Sequence, residues 1–228
     1  MVIYKGTRLV KKGAYTNKHW IQSSIDIVRA LESVGGRIEI HNLDAFKNLK
    51  TPCVFIGNHM SILETFILPS LIQPFQNVTF VVKESLISYP YFGHLMRDRD
   101  PIIVGRQSPR HDLKTVLQEG EKRLSKEISI VVFPQTTRSA EFTHKKFNTL
   151  GIKLAKRNQV PVVPIALKTD AWGMGKWVAD IGKIQPEKTV HVCFGDPLWI
   201  QGSGKNTHQK VVDFITHNLS EWRAADTM

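Results

Sequence analysis

"CVFIGNHMSILETFILPSLI", residues 53–72, sets the pattern for the rest of the chain. It opens on a short apolar run, 53–56, and closes on a longer one, 62–72, so "GNHMS" between them is a strand-to-helix turn. Ser61 and Glu64 spell the S-x-x-E of a helix capping box. His59 lies five positions before Glu64. Inside a regular helix, that spacing would turn the two side chains about 140° apart. They can meet only if His59 sits in the turn ahead of the helix. A capping box and a His–carboxylate dyad therefore need the same backbone, and this segment alone fits either role for Glu64.

Outward from that unit, short apolar runs alternate with amphipathic stretches. Further strands are expected at 78–82, 101–104, 129–133, 162–166 and 190–194, with helices near 18–34, 109–125, 147–158 and 207–222. This alternation predicts an α/β fold, a single domain with a mixed, mostly parallel sheet flanked by helices. Ligands of such sheets gather in the loops after the strands. His59 follows the first of these strands, and the loop 135–139 follows the fourth.

At 228 residues the chain can bury a sizeable core, and no low-complexity linker divides it. Residues 1–40 read as a basic arm with an amphipathic N-terminal helix, and residues 41–228 as the main domain. The first 25 residues carry Lys5, Arg8, Lys11 and Lys12 and no acid. The apolar stripe of the helix that follows (Trp20, Ile27, Leu31, Val34) suits either the core or an anionic lipid surface. Lys and Arg number 31 against 20 acidic residues, a net charge of +11, which favours an anionic partner. No apolar run is long enough to span a bilayer, and no secretory signal pattern is present. The expected location is cytoplasmic, peripheral on the inner face of the cell membrane. Nucleic acid is set aside because no recognition motif accompanies the charge.

Metal sites are not expected. There is no H-E-x-x-H and no paired C-x-x-C, and His191 and Cys193 share a strand face without further ligands at a familiar spacing. "GSGKN" and "GMGKW" lack the pattern of a phosphate-binding loop. Three blocks remain: "NHMSILE" (58–64), the stretch from Lys83 to Arg106, and "VVFPQTTRS" (131–139). Arginines that follow strands suit a phosphate, whose oxygens the guanidinium fork binds in pairs.

These blocks, with "VPVVPIAL" (160–167), resemble the glycerolipid acyltransferases. That family shows N-H-x-S-x-x-D, K-x-x-L…P-x-x-G…R, F-P-E-G-T-R-S and a V-P-x-x-P run in the same order. The resemblance spans roughly residues 50–200. It implies that His59 is the general base, that Glu64 orients it, and that Lys83 and nearby backbone N–H groups face the oxyanion. Arg106 and Arg138 would hold the acceptor's phosphate, and the turn carrying Gln135, Thr136, Thr137 and Arg138 would shape the acceptor pocket. It further implies acyl-CoA or an acyl carrier protein as donor, a lysophospholipid such as 1-acyl-sn-glycerol-3-phosphate as acceptor, and no metal or organic cofactor. Another acceptor (glycerol-3-phosphate, another lysophospholipid, an aminolipid) and a catalytically silent lipid-binding relative are the alternatives. The sequence departs from the pattern at three places. Glu64 stands for Asp, Gln135 for Glu, and Thr136 for a Gly whose positive φ a threonine would strain.

Overall fold

The computed structural model describes residues 2–135, 137–173, 175 and 182–226. Among these, seven strands form one sheet: β1 (Ile38–His41), β2 (Val54–Gly57), β3 (Val78–Lys83), β4 (Ile102–Val104), β5 (Ser129–Val132), β6 (Val162–Lys168) and β7 (Val190–Phe194). Their order is β1-β7-β6-β2-β5-β3-β4. Every neighbouring pair is parallel except β6 and β7. This is the mixed, mostly parallel sheet that the alternation predicts.

Alternation along each strand feeds two cores, because successive side chains point to opposite faces. Phe55, Val131, Val163 and Ile165 face one side, with α2 (Asn17–Glu32) and α3 (Leu63–Ile72). Val54, Ile56, Ile130 and Val132 face the other, with α6 (Pro109–Leu124), α7 (Leu150–Asn158) and α8 (Lys205–Ala225). Strands buried on both faces read as continuous apolar runs, which is why they are easy to find.

The stripe of α2 goes to the core. Leu31 is buried there, Trp20, Ile27 and Val28 pack against the same cluster, and Trp20 meets Phe80 edge-on at 6.2 Å. Ser24 ties α2 to α3 by accepting the Ser70 N–H at 3.1 Å and donating to the Ile67 carbonyl at 3.2 Å.

Four elements differ from the sequence-based expectation. The basic arm is itself a helix, α1 (Val2–Lys11), held by close contact of Gly6 with Leu95 and by the Thr7 hydroxyl donating to the Tyr91 carbonyl at 2.9 Å. Two short helices, α4 (Glu84–Ile87) and α5 (Phe92–Asp98), follow β3. Strand β1 pairs with β7, so the boundary drawn at 40/41 falls inside a strand. Its sequence, IEIH, is too short and too polar on one face to stand out.

Candidate active site

β2 and β5 are adjacent and parallel, with Val54 opposite Ile130 and Ile56 opposite Val132, so their carboxyl ends open at the same edge. Gly57 closes β2 against β6, where a side chain would press on the Ile165 carbonyl. Asn58 then locks the exit: its amide nitrogen donates to the Leu167 carbonyl at 2.7 Å, and its oxygen accepts the Leu167 N–H at 2.9 Å. His59 emerges from this clamp ahead of α3.

Glu64, fully buried, performs both of the tasks that the sequence leaves open, one with each oxygen. Oε2 bonds Nδ1 of His59. Oε1 accepts from the Met60 N–H at 2.7 Å, the Ser61 N–H at 3.0 Å and the Thr169 hydroxyl at 2.5 Å. Ser61, one residue ahead of the N-cap Ile62, accepts the Leu63 N–H at 3.2 Å, and its hydroxyl donates to Thr169 Oγ1 at 3.0 Å. A carboxylate with three donors on one oxygen has no freedom to rotate, so its second oxygen holds the imidazole in place. The flat face of the ring stacks on Phe133 at 4.4 Å and 7°.

The peptide of His59 joins the two loops. Its N–H donates to Gln135 Oε1 at 2.7 Å, and its carbonyl accepts the Ser139 N–H at 2.9 Å. Gln135 is buried and forms an isolated bridge with Phe147, and Asn148 secures the Pro134 carbonyl at 2.5 Å. An amide oxygen serves the His59 N–H as a carboxylate would, so Gln135 keeps the acceptor while removing a charge.

Phe133 and Gln135 line a cleft of about 470 Å³ on the α6–α7 side, a size typical of ligand sites. Val81, Val104 and Leu113 make its lining apolar, and Arg106, Arg110 and Lys153 make it basic. Burial lowers the Arg106 pKa, Asp112 opposes that shift, and the nearby Arg138 guanidinium adds to it. Two guanidinium groups within electrostatic reach of each other suit a doubly charged anion. Arg106 also takes a left-handed backbone at φ 58°, strain of the kind that collects at ligand sites.

The structure thus brings together His59, Glu64 and Gln135, with Arg106 on the cleft wall and Arg138 within electrostatic reach of it. Lys83 stands exposed at the end of β3, outside the residues that line the cleft. Thr137 is exposed on the loop surface, and Thr136 lies outside the described residues. Sequence reasoning missed Thr169, which follows β6 and reaches Glu64 only because β6 pairs with β2. Arg110 and the exposed Lys153, which also line the cleft, carry no motif that marks them in the sequence.

A family model described as "Acyltransferase" matches residues 37–168. The 1-acyl-sn-glycerol-3-phosphate acyltransferase of Pseudomonas aeruginosa is 27% identical over 209 residues, 90% of this chain and 76% of that protein. The chloroplastic 1-acyl-sn-glycerol-3-phosphate acyltransferase BAT2 of Brassica napus is 30% identical over 131 residues, 58% of this chain and 37% of that protein. The crystal structure of the 1-acyl-sn-glycerophosphate acyltransferase of Thermotoga maritima superposes with a TM-score of 0.70 over 94% of this chain and 83% of that one. Its sequence identity is 16%, so this last likeness speaks for the fold alone.

Proposed function

The chain belongs to the acyltransferase family, and we propose that it moves a fatty acyl group from a thioester, acyl-CoA or acyl carrier protein, to the hydroxyl of 1-acyl-sn-glycerol-3-phosphate. The observation that carries this reading is the His59–Glu64 pair, anchored through the cap of α3 beside an apolar cleft with a basic wall. Glu64 accepts from Nδ1–H, which leaves the Nε2 lone pair to take the proton of the acceptor hydroxyl. The hydroxyl oxygen attacks the thioester carbonyl, the tetrahedral oxyanion collapses, the C–S bond breaks, and the imidazolium returns its proton to the departing thiolate. The enzyme forms no covalent bond in this scheme. Arg106 and Arg138 take the acceptor's phosphate, and the apolar lining takes the acyl chain.

The finer choice of acceptor rests on the names of the relatives and on the two arginines, which a phosphate monoester satisfies better than a neutral headgroup. Peripheral attachment to an anionic membrane is the companion proposal. It is supported by the net charge of +11 and by the exposed Lys5, Arg8 and Lys11 of α1. No helix among the described residues is long and apolar enough to cross a membrane. The test is acyl transfer by the purified protein from both donors onto a panel of lysolipids, beside His59→Ala. Transfer onto the phosphate monoester that disappears in the variant is the expected result. A folded wild type that acylates nothing on the panel would overturn the proposal.

A further inference from the structure

Strand register assembles a cluster of side chains that spacing along the sequence conceals. β1 and β7 are parallel, with Glu39 opposite His191 and His41 opposite Cys193. Ile38 packs against the α2–α3 core, so the alternate residues Glu39 and His41 emerge on the α8 face beside His191. Glu39 Oε2 lies 3.6 Å from His41 Nε2 and 3.3 Å from His191 Nδ1. One ligand atom from each of the three residues lies within 4.8 Å of the other two.

The second observation concerns His191 itself. It is 9% exposed, and its Nδ1 is buried with no hydrogen-bond partner among the described residues, although it faces the Glu39 carboxylate. Its ring is held flat by Trp222 at 4.8 Å and 12° on one contact and lies 6.0 Å and 16° from His41 on another. A buried nitrogen without a hydrogen bond, beside a carboxylate and a second imidazole, is unsatisfied as it stands and suited to a cation. The neighbouring cation, Lys168 of β6, is already engaged by Asp226 at 2.8 Å and Asp170 at 3.6 Å.

We propose that Glu39, His41 and His191 bind a first-row divalent transition ion, zinc above all, and that the ion pins the edge strand β1 to β7. Two imidazoles and one carboxylate form a nitrogen-rich donor set that suits zinc, copper or nickel and disfavours magnesium and calcium. Glu39 and His41 are about half exposed, which leaves an approach for the ion and a position for water. The site is two strands away from β2, on the other side of β6, and takes no part in acyl transfer.

The test starts from full-length protein stripped with a chelator, loaded with zinc and passed through gel filtration. Elemental analysis is expected to find one zinc per chain in the wild type and to find it lost in His41→Ala and in His191→Ala. His41 is half exposed, so its replacement keeps the fold even if that of His191 does not. Zinc is also expected to raise the Tm of the wild type but not of His41→Ala, and magnesium to raise neither. No retained zinc in the wild type, or undiminished zinc in a folded His41→Ala, would overturn the proposal.

Discussion

Replacing Glu64 with glutamine should remove turnover while leaving the fold in place, and the hydrogen bonds around it say why. Oε1 is met by three donors: the Met60 N–H, the Ser61 N–H and the Thr169 hydroxyl. A glutamine must therefore keep its carbonyl oxygen there, because an NH₂ group would oppose all three. Its NH₂ then faces His59 Nδ1, which has to accept. The ring proton moves to Nε2, the nitrogen that should act as base. In serine-protease triads the equivalent wrong-tautomer substitution costs about 10⁴ in kcat, or about 5.5 kcal/mol of transition-state stabilisation. The same order is expected here. The cap survives with neutral hydrogen bonds in place of charge-assisted ones, so the stability loss should stay near 1–2 kcal/mol. Steady-state acyl transfer alongside thermal melting measures both quantities. Glu64→Asp separates reach from charge: shortening by about 1.5 Å keeps the charge but cannot hold the cap and the imidazole at once. A folded Glu64→Gln with activity within tenfold of the wild type would refute the tautomer argument.

Thr169→Val keeps the shape but leaves the Ser61 hydroxyl without its acceptor and Glu64 without one donor, which should cost about 1–3 kcal/mol in stability and lower kcat. Thr169→Ser should restore both, as read by melting and turnover. Arg106→Asn keeps a residue that tolerates the left-handed backbone and removes the guanidinium. Losing one charge-assisted contact of about 1.5–3 kcal/mol should raise KM for a phosphate-bearing acceptor roughly 10- to 100-fold with kcat little changed. At Asp170, burial alone would raise the pKa, but Lys168 and Lys188 together outweigh it, and the net shift is downward from 3.8. A carboxyl with a depressed folded pKa contributes stability above its unfolded pKa and loses it as pH falls through the folded value. Asp170→Asn should therefore destabilise the protein at neutral pH and flatten the decline below about pH 4, as followed by denaturant unfolding at stepped pH.

The strands that carry the site were legible because each is buried on both faces and so spells an unbroken apolar run. β1 was hidden because Glu39 and His41 break the run on one face, and pairing with β7, far along the chain, is a tertiary fact. The α1 helix was hidden for a similar reason. Its composition reads as a charged arm, and contacts with distant residues, Gly6 with Leu95, Tyr4 with Tyr91 and the bond from Thr7 to Tyr91, give it somewhere to pack. Within the site, His59 and Glu64 were legible from a local rule, since five residues across a capped turn bring them together. Thr169 was not, because 105 residues separate it from Glu64 and no local pattern marks it. Lys83 shows the opposite case: a motif position that draws the eye, set by the structure at an exposed strand end.

The departures at 64 and 135 are easier to understand as hydrogen-bond requirements than as charges. What the His59 peptide needs from position 135 is an acceptor, and Gln135 Oε1 at 2.7 Å supplies it without placing a second carboxylate near the buried Glu64. What the imidazole needs from position 64 is one carboxylate oxygen whose direction is fixed. Glu64 supplies that because its other oxygen is held by two backbone N–H groups and a threonine hydroxyl. The extra methylene relative to aspartate lets a single side chain bridge the helix cap and the ring. Anchor of the turn and partner of the imidazole are thus the same group, and any substitution at 64 has to be judged by which of its two oxygens it disables.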